Sequence, residues 1–339
     1  MDDNKNRNIN AVAYAHQGET YRLTGYVEEA RDAFQKAIGK NPEYAWAHAH
    51  LGATLSQLGV YDEAIESFGK AIDLYQQQDV QNAWVYAHLG DTYRMKYIKR
   101  KYRQGPDLLD SDFDMAVENF NKAIAISTPY PWAYAHRAAT YRLKLPQLDN
   151  NTDLDWKKYA QLAYDDFTTA IEQSNQTYAW AYAFRSTIEK LRGNSNEAFE
   201  DLMTALRLDL HVVENPEAER AVLLLYQKHW EQAIRYAEKA LNDNPYNTWA
   251  AYCLAVARAR LEKGVQAARP EIDLAQSLLR ESISSNLCSL AGLAVLEGDN
   301  KAIEYLCHAM EVDAAYASDR IRNDPVLREL DFNKNKDCT

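Results

Sequence analysis

The sequence predicts an all-α solenoid, an array of antiparallel helix pairs stacked one on the next. Three observations predict it. One pattern recurs along the first 190 residues: AVAYAHQGETY from Ala11, AWAHAHLGATL from Ala45, AWVYAHLGDTY from Ala83, PWAYAHRAATY from Pro131 and AWAYAFRSTIE from Ala179. A second pattern follows each copy, an Ala, an apolar residue four later and an Ala three beyond it. It is anchored at Ala30, Ala64, Ala116, Ala163, Ala198 and Ala233. Helix breakers are scarce, with 12 Gly and 9 Pro in 339 residues, while Ala, Leu, Tyr and Glu are plentiful, a balance that favours helix over strand.

The first pattern gives the first helix of each pair. Helical residues advance by about 100° each. The residues four before, one before, at and three after a fixed small position therefore share a face. That small position is Gly18, Gly52, Gly90, Ala138 and Ser186 in turn; in the third copy the shared face holds Tyr86, Leu89, Gly90 and Tyr93. Apolar or small, this face is expected to pack on the second helix. The second pattern gives that helix, with Phe34, Phe68, Phe120 and Phe167 filling the space between neighbours. One pair cannot bury both of its faces, so stacking is obligatory.

The spacing then sets the repeat. Gly18 to Gly52 and Ala30 to Ala64 are 34 residues each, and Ala163 to Ala198 and Ala198 to Ala233 are 35. A period near 34, with Ala-x-x-x-Phe-x-x-Ala in the second half and Pro42 and Pro245 at the closing position, resembles the tetratricopeptide repeat. The resemblance covers residues 11–208 well. It implies a right-handed superhelix whose first helices line a concave surface that holds a protein or peptide. The chain departs from the family in one respect: the aromatic residue four before the small position is Tyr14, His48, Tyr86, Tyr134 or Tyr182, never the usual Trp.

The domain organisation follows. Residues 1–10 read as a polar tail, 11–208 as five clear repeats, 209–312 as three degenerate ones, 313–332 as a capping helix and 333–339 as a tail. Longer spacings (38 from Gly52 to Gly90, then 48 twice) place insertions at 95–115 and 143–160, turning around Pro106 and Pro146. Two adjacent insertions on one edge would form a raised lobe, and repeat proteins often collect insertions on a binding face. The first insertion carries Arg94, Lys96, Lys99, Arg100, Lys101 and Arg103, followed by Asp107, Asp110, Asp112 and Asp114. It reads either as a solvated helix facing its own acidic loop or as a docking patch for an acidic partner.

Candidate binding residues stand on the opposite side of the first helices. Six before the small position come Trp46, Trp84, Trp132 and Trp180, with Trp249 in the same frame later. Three before it is always Ala, expected to leave room for a ligand backbone. Two before come His16, His50, His88 and His136, then Phe184; four after come Arg22, Arg94, Arg142 and Lys190, interrupted by Ser56. Trp and Arg are common binding hot spots, and Arg can fork onto a carboxylate or stack on an aromatic ring. A Trp at a fixed repeat position can equally be a wedge between adjacent helices, and a His ladder can be stacking filler. A partner gripped by its terminal carboxylate through a Lys and Asn clamp is not supported, because Glu19, Ala53, Asp91, Ala139 and Thr187 stand where the clamp Asn would fall.

Composition narrows the function classes. The net charge of −11 speaks against general binding to nucleic acid or an anionic membrane. No apolar run approaches the roughly 20 residues that span a bilayer, and MDDNKNRN at the start shows no secretory pattern. Cys253, Cys288, Cys307 and Cys338 lie far apart, which reads as a reducing, cytoplasmic setting without a disulfide framework or zinc knuckle. No Gly-rich phosphate loop, nucleophile elbow or zinc-protease motif occurs. The expectation is a non-enzymatic scaffold or adaptor, without cofactor or metal, holding a protein or peptide partner. The alternative is a regulator in which a bound peptide alters the superhelix and a second protein contact. The oligomeric state is left open.

Overall fold

The computed structural model describes residues 2–104, 110–145, 154–262 and 264–330. Among these residues the protein is entirely helical, with no strand. It divides into two compact units, residues 1–140 and 141–339. The first holds α1 (Asp2–Leu23), α2 (Val27–Lys40), α3 (Ala45–Gln57), α4 (Tyr61–Gln77), α5 (Ala83–Gln104), α6 (Ser111–Ile126) and most of α7 (Pro131–Arg142). The second holds α8 (Leu154–Gln173), α9 (Ala179–Leu191), α10 (Ser195–Leu208), α11 (Pro216–Tyr226), α12 (Trp230–Asp243), α13 (Thr248–Leu261) and α14 (Arg269–Leu278). It closes with α15 (Ser284–Glu297), α16 (Lys301–Val312), α17 (Ala314–Asn323) and a 3₁₀ turn, Leu327–Glu329.

Helix pairing follows the two alternating patterns: α1 packs on α2, α3 on α4, α5 on α6, α9 on α10, and so on to α15 on α16. The small position explains the close approach. A methyl group on Gly18 or Gly52 would stand about 3 Å from the ring of Phe34 or Phe68, and one on Gly90 would meet both Phe120 and the Ala116 carbonyl. Phe34, Phe68, Phe120 and Phe167 are fully buried. The turn within several of the pairs uses a left-handed residue. Gly25, Gly59 and Gly193 supply it in three clear repeats, where glycine carries no steric penalty, whereas Lys228 takes it between α11 and α12.

Neighbouring first helices touch directly, α1 on α3 and α3 on α5, while no comparable contact joins α2 to α4 among the described residues. In a curved array the side where neighbours crowd is the inner one, so the first helices line the inner face of unit 1. The same holds in unit 2 for α11, α13 and α15.

Two features differ from the sequence reading, and two expected insertions go undescribed at their centres. Helix α1 begins at Asp2 and so runs through the stretch read as a tail. Residues 105–109 and 146–153, the centres of the two insertions, lie outside the described residues, as does 331–339. Cys307 is disulfide-bonded, which the wide cysteine spacing did not lead us to expect. Cys253 and Cys288 are free and buried, and burial pushes both thiols up, that of Cys288 to about 11. Only a thiolate reacts readily. Neither cysteine is therefore expected to react with a thiol reagent in the native chain at neutral pH, and both are expected to react after denaturation, as counted by absorbance.

Candidate partner-binding face

In unit 1 the predicted Trp and His residues form one continuous column. Within each first helix the Trp and the His one turn later lie ring to ring: Trp46 on His50 at 3.9 Å, Trp84 on His88 at 4.1 Å, Trp132 on His136 at 3.9 Å. His16, His50 and His88 each also meet the Trp of the next repeat. His16 reaches Trp46 at 5.4 Å, His50 reaches Trp84 at 4.6 Å and nearly parallel, and His88 reaches Trp132 at 4.9 Å. Seven rings from four helices therefore interleave. The i, i+4 spacing puts Trp and His above one another on one helix, and the 34-residue period brings the next Trp alongside. His16, at the end of the column, is exposed, and the others keep an edge in solvent.

The alanines three before the small position are not the open floor the sequence suggested. Ala15, Ala87 and Ala135 have no exposure and Ala49 almost none. They are spacers beneath the column that let adjacent helices close up, so a ligand would meet ring edges instead.

Charges beside the column alternate with the sequence. Where the residue after the small position is acidic, it collects two partners. Glu19 accepts two hydrogen bonds from Arg22, each 2.7 Å, and lies 2.8 Å from Nδ1 of His50 in the next repeat. Asp91 accepts from Arg94 at 2.6 and 2.8 Å and lies 3.0 Å from Nδ1 of His136. Burial acts to raise the Asp91 pKa, but Arg94 and His136 outweigh it and hold the carboxyl well below its ordinary range. Glu19 is lowered in the same way, against its own burial, by Arg22 and His50.

The second repeat has Ala53 and Ser56 instead. Ser56 only accepts a 3.0 Å bond from Thr92, and among the described hydrogen bonds no carboxylate meets His88. Burial then depresses the His88 pKa to about 4, against the opposing pull of Asp91. His50 is also lowered by burial, with Glu19 opposing. Removing Asp91 would strip Arg94 and His136 of their shared anion. Asp91→Ala is expected to cost about 1.5–3 kcal/mol, read by urea unfolding, and Asp91→Asn less, because the amide oxygen still accepts.

The remaining predicted residues lie in unit 2. Arg142 has Ala139, not an acid, in its own helix, and its guanidinium stacks on Phe184 at 4.7 Å. Trp180 meets Phe184 at 4.2 Å, so Phe replaces His in the same stacking role. Lys190 faces Glu219 at 3.6 Å. Trp249 carries the guanidinium of Arg320 over its ring at 4.3 Å. Sequence reasoning did not single out Arg320, nor the acids Glu19 and Asp91 as organisers of the Arg and His ladders. Their signal was present in the strict three-residue step to Arg22 and Arg94.

The basic run of α5 is largely neutralised. Lys96 pairs with Asp62 at 2.7 Å, Arg100 with Asp112 at 2.6 Å, and Lys99 donates to the Gly59 carbonyl. Away from the inner column, the four residues added between Gly52 and Gly90 accompany an apolar cleft of about 370 Å³, lined by Ile72, Tyr75, Val80, Val85, Tyr86 and Ile126 among others. No group of three or more His, Cys, Asp or Glu that could hold a metal ion occurs among the described residues, and no helix there is long and apolar enough to cross a membrane.

A tetratricopeptide-repeat family model matches residues 4–77. Over those residues the chain is similar to the tetratricopeptide repeat. Solved structures are also similar. A chain in the structure of the APC/C hetero-tetramer Cut9–Hcn1 matches 73% of this chain over 42% of its own, at 18% identity and a TM-score of 0.55. The tetratricopeptide repeat protein TTC0263 of Thermus thermophilus covers 63% of this chain over 99% of its own (17% identity, TM-score 0.48). YrrB, a TPR protein with an unusual peptide-binding site, covers 65% over 96% (19% identity, TM-score 0.45). These likenesses concern fold alone. No curated protein matches the sequence. The tetratricopeptide fold supports a protein-interaction scaffold in general terms.

Proposed function

We propose that this protein is a non-enzymatic scaffold that holds a segment of a partner protein or peptide on the inner face of unit 1, with Trp46, Trp84 and Trp132 as the principal contacts. The observation that carries the reading is the interleaved Trp and His column, whose ring edges reach solvent in register across successive repeats. Flat aromatic surface with few rotatable bonds is the usual material of binding hot spots. The ion pairs at Glu19 and Asp91 shape what is held. With Arg22 and Arg94 already satisfied, the face offers aromatic edges flanked by balanced charge rather than a row of free cations. An apolar or aromatic segment fits this face better than a bare terminal carboxylate.

The test is capture of a partner from the source-cell extract by wild type and by Trp84→Ala and Trp132→Ala chains. Loss of one partner in both variants, with helical circular dichroism unchanged, supports the reading. Equal capture by all three chains sinks it.

A further inference from the structure

The inner face of unit 2 differs from that of unit 1. Its first helices α13 and α15 are buried on nearly every side, including positions that face solvent in the clear repeats. The cover is the chain's own C-terminal segment. Helix α17 touches α9 and α15, the first helices of two different repeats, and the turn after it reaches α13. Four residues make the attachment. Arg320, 1% exposed, lies over Trp249 at 4.3 Å and over Tyr252 at 5.2 Å. One helical turn later Asp324, with no exposure, accepts from Arg320 at 2.8 Å and from the Tyr252 hydroxyl at 2.8 Å. Val326 and Leu327, also fully buried, enter the apolar clusters around α13 and α15.

The receiving side is built for this. Trp249 belongs to the same inner ladder as Trp84. Tyr252 occupies the position three before the small residue, where every clear repeat has Ala, and its hydroxyl is what reaches Asp324. Gly292 on α15 leaves the room, since a methyl group there would collide with that hydroxyl. The guanidinium itself is poorly served by hydrogen bonds: Nε and Nη1 of Arg320 are buried without a partner, so the two π faces and one carboxylate hold it. A core helix evolved only for packing has no need of a buried arginine held in this way.

We propose that residues 313–330 are a ligand held in cis on the inner face of unit 2, and that this face takes in trans a peptide of the same chemistry: an arginine, a carboxylate one helical turn later and two apolar residues just beyond. The segment guards the site, and an external peptide must displace it. The proposal concerns unit 2 alone and does not depend on what unit 1 binds.

The experiment uses the full chain and a synthetic peptide of residues 313–330. The peptide is expected to bind the Arg320→Ala chain at least tenfold tighter than wild type, whose own segment competes at the high effective concentration of a tethered ligand. A peptide carrying Arg320→Ala is expected to bind neither chain. Equal affinity for both chains, or no binding to the variant, would overturn the proposal. Amide exchange on the wild-type chain decides independently of whether the variant folds. Residues 313–330 are expected to open in a step of their own, at least tenfold faster than α13 and α15; exchange at the same rate as α13 would show them to be inseparable core and refute the cis-ligand account.

Discussion

Phe68→Ala is expected to lower the stability of unit 1 by about 3–5 kcal/mol, the range for emptying a buried phenylalanine site. The ring has no exposure and fills the space beneath Gly52, between α3 and α4 and toward α5, where it clusters with Ala49, Ala53, Val85 and Leu89. Little can collapse into the space it leaves, because Ala49, Gly52 and Ala53 have no side chain to swing into it and Val85 is itself fully buried on α5. Repeat arrays transmit energy between adjacent units. The loss should therefore appear first as faster amide exchange in α3, α4 and α5, and then as an earlier urea transition by circular dichroism. A cost under about 1 kcal/mol would mean that the pair does not depend on its Phe and Gly complementarity, against the range for such truncations.

Unit 1 is also expected to lose stability in mild acid. His88 has a folded pKa of about 4 because it is buried, against about 6.5 when unfolded. The folded state therefore binds the proton later than the unfolded state does. The stability this group contributes is fully present above pH 6.5 and is lost as pH falls toward 4. At 1.36 kcal/mol per pK unit the loss approaches about 3 kcal/mol. His50 is lowered for the same reason and acts in the same direction. Asp91, held low by Arg94 and His136 despite its burial, adds a further loss below the ordinary carboxylate range. Stability against pH, read by urea unfolding at fixed ionic strength, should slope downward from pH 6.5 to 4. His88→Phe should flatten much of that slope, since Phe184 already performs the same stacking role in the fifth repeat. An unchanged slope in that variant would remove His88 as the cause.

The architecture was legible because its cause is periodic. Gly18, Gly52 and Gly90 recur where a Phe from the partner helix must pass, and a repeated steric requirement leaves a repeated letter. The Trp and His ladders were legible for the same reason, and the structure adds that they interleave. The alanine ladder was misread because spacing along one helix gives a residue's face but not what the neighbouring helix places over it. Ala15 and Ala87 point toward the inner side and are nevertheless covered. The roles of Glu19 and Asp91 depend on a histidine 31 or 45 residues away, a relation that helix periodicity does not contain. The attachment of Arg320 to Trp249 and Tyr252 was hidden for a stronger reason: it joins segments about 70 residues apart in the least regular repeats, where the pattern had already faded. Tyr252, standing where every clear repeat has Ala, was its single trace.

The central claim is that a partner segment lies along the aromatic column of unit 1. It is tested most directly by placing a photo-crosslinking residue at His16, exposed on the inner face, and in a separate chain at Glu66, exposed on α4. Irradiation in the source-cell extract should join one defined partner to the His16 chain, through a segment identified by mass spectrometry, and leave the Glu66 chain unlinked. The same partner joined with equal yield from Glu66, or from Glu66 alone, would place the contact elsewhere and contradict the account.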